Sequence, residues 1–295
     1  MSMRIAVVGY ASVDHAMETD EFRAASGTTL IQHRLSEPWP DVGGIAYAAR
    51  GLAAAGHQVH AVTWIGKDQA GDEYTERLSS YGVDVTGVAA RGNRTPSCYL
   101  FYGPDGETVV VYDPGDHVPT ELTATQRELV AECDWVCMLV APRPVNLEVL
   151  DRLTDNQSLA WGVKGDPDAY SAGVVLKMLS RASVICFSAR ERIFLDRMIA
   201  PRSLRDRARK DAFIAETHGT AGVKVWQGDH RDTVPCTPID AVDTTGAGDM
   251  FFAGAVASMI ERPGDTRRAA ERGVAAATSL LRGRQAAHRC GEPVR

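Results

Sequence analysis

Asp243 and Asp249 flank two glycines and lead into an apolar run in DTTGAGDMFFAGA, residues 243–255. A run of small apolar residues asks for burial. A carboxylate beside it resists burial unless something pairs with it. A helix that begins at this point reconciles the two. Its first N–H groups have no partner within the helix, and its dipole is positive there. Gly246 and Gly248 carry no Cβ, so an anion can approach that backbone closely. Asp249, on the same turn, can accept a proton from an attacking hydroxyl. Phosphoryl transfer needs this pairing: a place for the charge that spreads over the phosphoryl oxygens, and a group that orients the nucleophile. Gly-x-Gly-Asp before a helix also fits a plain N-terminal cap, so the rest of the chain has to decide.

Two common phosphate-binding signatures are missing. The chain has no GxxxxGK[ST], and GYASVD stands where a GxGxxG would follow the first strand. The elements that must hold the Gly-Asp turn alternate between strand and helix. RIAVVGYA (4–11), QVHAVTWIG (58–66), DWVCMLVA (134–141), SLAWGVK (158–164), SVICFS (183–188) and GVKVWQ (222–227) read as strands. IAYAARGLAAAG (45–56) and AGDEYTERLSSYG (70–82) read as helices stopped by Gly56 and Gly82. This rhythm predicts an α/β three-layer sandwich with a mostly parallel central sheet. Two stretches break it. SCYLFYGPDGETVVVY (97–112) is a hairpin signal around Pro104-Asp105-Gly106, and TTLIQHRLSEPWPDVGG (28–44) is strand-like and polar. They predict a small β-sheet lid, from segments near 12–44 and 94–117, within one domain spanning 1–295.

Composition narrows the function. Of 295 residues, 44% are hydrophobic and 24% charged, ordinary for a soluble globular protein, and the net charge of −6 argues against nucleic-acid or anionic-membrane partners. The basic stretches, RSLRDRARK (202–210) and the Arg-rich tail from Arg262, read as solvated helix faces. The apolar run from Met250 to Ile260 is well short of the ~20 residues that span a bilayer, and no secretory signal opens the chain. The protein therefore reads as cytoplasmic. Its six cysteines form no CxxC pair and sit in apolar surroundings, which predicts reduced, buried thiols and no zinc site.

DTTGAGD followed by an apolar helix resembles the signature of the ribokinase-like (PfkB) carbohydrate kinases, and the likeness covers nearly the whole chain. VVGYASVDH is similar to that family's first strand, which ends in a substrate-binding Asp, here Asp14. GGIAYAARGLAAAG resembles the Gly-Gly segment and its helix, WIGKDQAGDEYTERLSSYGVDV the G-x-D-x-x-G stretch, and ETHGTAG the Gly-rich turn near the nucleotide. The resemblance implies an ATP- and Mg²⁺-dependent kinase that transfers the γ-phosphoryl group to a hydroxyl, often a primary one. Asp249 would be the base, and the amides of Gly246, Ala247 and Gly248 the anion hole. Asp14, Gly43, Gly44 and Tyr47 would meet the substrate. Ser188, Thr217, Gly219 and Gly222 would border ATP. Glu191 would hold Mg²⁺ through water, or be a surface helix residue. Asp243 would help hold a monovalent cation such as K⁺, or cap a turn. The resemblance and the two-faced hairpin together imply a homodimer through the lid.

Three departures blur the substrate. Tyr47 stands near an expected Asn; it can stack on a ring or pack in its helix. Ser188 replaces Asn in the N-x-x-E motif, leaving SARE. Ala141, Pro142 and Arg143 stand where ribokinase places a sugar-contacting acid; Arg143 can face an anionic substrate or solvent. The leading expectation is a sugar kinase. A nucleoside kinase is the alternative, with Tyr47, Trp39, Tyr99, Phe101 and Tyr102 as surfaces for a base. A non-catalytic binding protein would have no need of Asp249, and a glycosidase on this fold would consume no ATP.

Overall fold

The structure is a computed structural model that describes residues 2–23, 27–35, 39–104 and 106–291, with side chains up to 286. Asp105 of the expected hairpin turn, and the side chain of Cys290, lie outside the described residues.

The strand β1 (Arg4–Val8) opens a central sheet. β2 (Ala11–Thr19), β3 (Ile31–Arg34) and β4 (Asp41–Gly44) belong to a second, smaller sheet. Then come α1 (Ala46–Ala54), β5 (Gln58–Ile65), α2 (Gln69–Ser80), β6 (Val88–Ala90), and the hairpin β7 (Ser97–Tyr102) and β8 (Thr108–Asp113). The second half runs α3 (Ala124–Glu132), β9 (Trp135–Met138), α4 (Arg143–Arg152), β10 (Ser158–Gly162), α5 (Ala172–Arg181), β11 (Val184–Ser188), α6 (Ala189–Ile199), α7 (Leu204–Arg207), β12 (Phe213–Thr217), β13 (Val223–Gln227), β14 (His230–Val234), α8 (Ala247–Glu261) and α9 (Thr266–Gly291).

Among the described residues the central sheet has the order β14-β13-β12-β11-β10-β9-β1-β5-β6. It is parallel except at one edge, where β13 pairs antiparallel with both β12 and β14. Strand alternation divides the core in two. Ile5 and Val7 pack towards α1, α2, α8 and α9; Ala6 and Val8 pack towards α3 to α7. Burial on both faces is why these strands read as unbroken apolar runs.

The second sheet has the order β3-β2-β7-β8, with β4 paired to β2. This corrects the reading of RIAVVGYA as one strand. The core strand stops at Val8, and after Gly9-Tyr10 the chain crosses into β2. Asp14 therefore lies on a lid strand, opposite Asp41 of β4. The basic tail also departs from expectation. It forms α9 against α8, and one of its arginines, Arg284, has a side chain only 10% exposed.

Candidate active site

The C-terminal ends of the parallel strands and the lid enclose a crevice of about 580 Å³. Open α/β sheets bind ligands at this end, where the order of strands reverses; here β1 lies between β5 and β9. Asp14 enters from β2, Leu139 and Lys164 from beyond β9 and β10, Tyr112 from β8, and Gly246, Gly248 and Asp249 from the start of α8.

Asp14 is 5% exposed and accepts a 2.6 Å hydrogen bond from the Ser12 hydroxyl. The space that Gly43 leaves is filled by this carboxylate: a Cβ on Gly43 would lie 2.1 Å from Asp14 Oδ2. Gly44, with φ +60°, lines the crevice itself. Burial, helped by the charges of Asp41, Asp243 and Asp249 and opposed by the Ser12 bond, pushes the Asp14 carboxyl from an ordinary 3.8 to about 7. The folded chain therefore holds an extra proton between these values, and this group's contribution to stability falls as pH rises through that window. If Asp14 holds an acceptor's hydroxyls, as the resemblance implies, its ionised form does so best. The kcat/KM for the acceptor is thus expected to rise with pH up to about 7 and then level. Asp14→Asn should weaken acceptor binding and abolish that acid limb. An unchanged limb in the variant would detach the profile from Asp14.

At the anion turn, Gly246 is the N-cap of α8 in the left-handed region, with φ 75° and no side-chain cap. The Ala247 amide bonds back to the Thr244 carbonyl at 3.2 Å, closing the turn. The amides of Gly246 and Gly248 take part in none of the described backbone hydrogen bonds. Of the three amides expected to form the hole, Ala247's is therefore engaged, and the other two have no hydrogen-bond partner among the described residues. Asp249 sits in the first helical turn, its side chain 14% exposed, with Oδ1 3.8 Å from Lys164 Nζ.

Tyr47 packs under the turn and also lines the crevice. It is 2% exposed, and its ring lies so close under the turn that a Cβ on Gly246 would come within 2.5 Å of it. Its hydroxyl donates to Asp41 Oδ2 at 3.0 Å and accepts from Arg284 Nη2 at 2.7 Å. Asp243 is 3% exposed; its Oδ1 accepts from the Tyr102 hydroxyl and the Thr245 amide, both at 2.8 Å. None of the other aromatics expected to meet a base is among the lining residues. Tyr99 stacks on His15 on the outer lid face, and Trp39 packs edge-on to His15. Tyr10 and Tyr112 line the crevice in their place. Arg143 donates to the Pro167 carbonyl at 2.6 Å and is not among the lining residues.

Ser188 and Glu191 form a capping box at the start of α6. Ser188 Oγ accepts from the Glu191 amide at 3.3 Å, and Glu191 Oε2 from the Ser188 amide at 2.7 Å. Glu191 Oε1 has no bond among the described residues. Thr217 ends β12, with its hydroxyl 3.5 Å from the Phe187 carbonyl. Gly219 and Gly222 frame the short turn that follows.

Sequence reasoning missed Lys164 and Arg284. Lys164 is half-exposed at the mouth of the crevice. Asp249 first, then Glu191 and Asp14, raise its pKa, so one cation lies within the field of all three carboxylates. No cluster of three or more metal-ligating side chains occurs among the described residues.

The chain is 27% identical over 277 residues to an ATP-dependent ribose-1-phosphate kinase of Halopiger xanaduensis, covering 91% of this chain and 88% of that one. It is 26% identical to a cytidine kinase of Thermococcus kodakarensis, covering 86% and 87%. The Arabidopsis thaliana ribokinase complexed with ribose and ATP superposes with a TM-score of 0.77 at 20% identity, covering 96% of this chain and 93% of that one. A layered α/β core, a lid over its strand ends and these kinase relatives define a ribokinase-like phosphotransferase. Residues 2–291 match the description pfkB family carbohydrate kinase, and the chain belongs to that family of sugar and nucleoside kinases.

Proposed function

We propose that the protein transfers the γ-phosphoryl group of ATP to a hydroxyl of a ribose-containing small molecule. The observation that carries this is one crevice holding a buried carboxylate, Asp14, opposite a first-turn carboxylate, Asp249, beside the free amides of Gly246 and Gly248. Asp14 accepts hydrogen bonds from the acceptor's hydroxyls and orients it. Asp249 takes the proton of the attacking hydroxyl. The two amides and the α8 dipole hold the charge on the transferring group, and Lys164 balances it. Thr217, Gly219 and Gly222 border the nucleotide. Mg²⁺ bound with ATP would neutralise phosphate oxygens; Glu191, whose Oε1 is free of the capping box, suits its water shell. Ribose is the unit shared by ribose 1-phosphate and cytidine, the acceptors in two relatives' names. Tyr10 and Tyr112 give a nucleoside base apolar surface, which is what favours the nucleoside reading over free sugars. With ATP as donor, the enzyme works in the cytoplasm. ADP release over ribose, ribose 1-phosphate, hexoses and nucleosides tests the reading. It fails if no ribose-containing acceptor raises the rate above ATP alone, as would also hold for a non-catalytic binding protein.

The lid is further proposed to pair with a second copy. Leu100, Val110 and Tyr112 face the crevice, while Tyr99 and Val111, opposite one another in register, face outward and are 36% and 51% exposed. β8 is moreover an edge strand, and long apolar edges are normally covered. Light scattering at micromolar concentration should give twice the chain mass; the mass of one chain would contradict this.

A further inference from the structure

One nitrogen, Arg284 Nη1, is held by three oxygens of the loop that leads into the anion turn. It lies 2.9 Å from Asp243 Oδ2 and 3.5 Å from the Asp243 carbonyl, and it donates to the Thr245 carbonyl. A carboxylate and two carbonyls converging on one point form a donor set suited to a hard cation, which takes oxygen ligands. Here the point is filled by a side chain. Asp243 Oδ2 is buried and its described partner is this guanidinium. Asp243 Oδ1 is already taken by Tyr102 and the Thr245 amide. An alkali cation at Asp243 would have to displace Nη1, so the residues present do not fit the monovalent cation expected from the sequence.

The same guanidinium reaches further. Nη2 donates to the Tyr47 hydroxyl at 2.7 Å and lies 3.6 Å from Asp41 Oδ2. The guanidinium carbon is 5.4 Å from the centre of the Tyr47 ring, the ring on which Gly246 rests. Tyr102, on lid strand β7, joins the group through Asp243 and through Thr245 Oγ1 at 2.7 Å. Arg284 therefore ties α9, α1, the lid and the loop before the anion turn together around one buried positive charge.

We propose that Arg284 is a tethered cation that replaces a monovalent metal ion, so that the anion turn is positioned without K⁺. This makes Arg284 a positioning residue: it touches no reacting atom and acts through Asp243 and Thr245. The charge is always present, because a guanidinium keeps its proton at any physiological pH. It also requires that α9 be docked, which couples the turn to the C-terminal helix.

The proposal deepens the kinase reading, and its first readout needs no acceptor. Melting temperatures are measured in KCl, NaCl and tetramethylammonium chloride at equal ionic strength. The wild-type protein is expected to melt at the same temperature in all three. Arg284→Met keeps an apolar stem over Tyr47 but frees the three oxygens. Its melting temperature is expected to rise with K⁺ relative to tetramethylammonium, and Arg284→Lys, which retains a tethered charge, should show no such rise. Once an acceptor is known, wild-type turnover should agree within about twofold across the salts, while the Met variant should lose at least tenfold in tetramethylammonium and regain part of it with K⁺. Wild-type melting or turnover that depends on K⁺ would overturn the proposal, and so would an Arg284→Met protein with wild-type turnover in tetramethylammonium. If the Met variant does not fold, the wild-type salt comparison decides by itself. Failure to find any acceptor would count against the kinase reading and leave the melting comparison intact.

Discussion

Replacing Asp249 by Asn is expected to leave the fold and ATP binding in place and to lower kcat by about 10²–10⁴, the range for a positioned acid–base group. Asn has the shape of Asp and keeps the first turn of α8 filled. The change removes an acid from the positive end of a helix dipole, worth about 0.3–1 kcal/mol, and the 3.8 Å pairing with Lys164. Lys164 is half-exposed and remains solvated, so the thermal shift should be small. The lost rate is the lost proton acceptor. A variant that turns over acceptor at the wild-type rate would remove Asp249 from the mechanism.

The second large effect separates stability from activity at the two glycines of the anion turn. At Gly248 a Cβ would meet no protein atom within 4 Å, because the position opens on the crevice. Ala suits a helix interior better than Gly by roughly 0.5–1 kcal/mol. Gly248→Ala is therefore expected to melt at the same or a higher temperature. The new methyl group would stand where the phosphoryl oxygens approach. Disturbing one such donor costs about 10²–10³ in kcat. Gly246→Ala should differ. Its φ of 75° and the Tyr47 ring 2.5 Å from the new Cβ leave it no room, and the left-handed backbone alone costs an L-residue about 1–2 kcal/mol. That variant should lose both stability and turnover. Melting curves and ADP release on the two proteins read this directly. A fully active Gly248→Ala enzyme would mean that no phosphate passes over that backbone.

What the sequence discloses follows the range of the interactions involved. The anion turn is local: two glycines, an acid and an apolar run within a few residues carry its chemistry, and the helix starts where they place it. The hairpin is local too, since its alternation and its turn lie in one stretch. The crossing after Val8 is harder to see, because a chain passing from one sheet to another keeps the same extended, apolar pattern on both sides of Gly9 and Tyr10. Asp14 is therefore identifiable as a site residue while its sheet is not. SARE carries two meanings at once; the capping box is what the geometry displays, and it leaves one Glu191 oxygen for a ligand. Lys164 and Arg284 are hidden for another reason. A lysine after a strand and an arginine in a basic helix look like solvated charges, and their partners lie far along the chain. Arg284 and Tyr47 are separated by 237 residues. Only the packing of α9 against α8 brings that charge to Asp243.

In the proposed reaction an acceptor hydroxyl attacks the γ-phosphorus of ATP in the crevice between Asp14 and Asp249. ATP carrying ¹⁸O at the three non-bridging γ-oxygens tests it most directly, with the acceptor that gives the highest ADP release and the product weighed by mass spectrometry. The expected product is a phosphorylated acceptor bearing all three labelled oxygens, with one ADP formed for each, and far less of it from Asp249→Asn. Labelled inorganic phosphate formed in step with ADP, with the acceptor left unmodified, would contradict it.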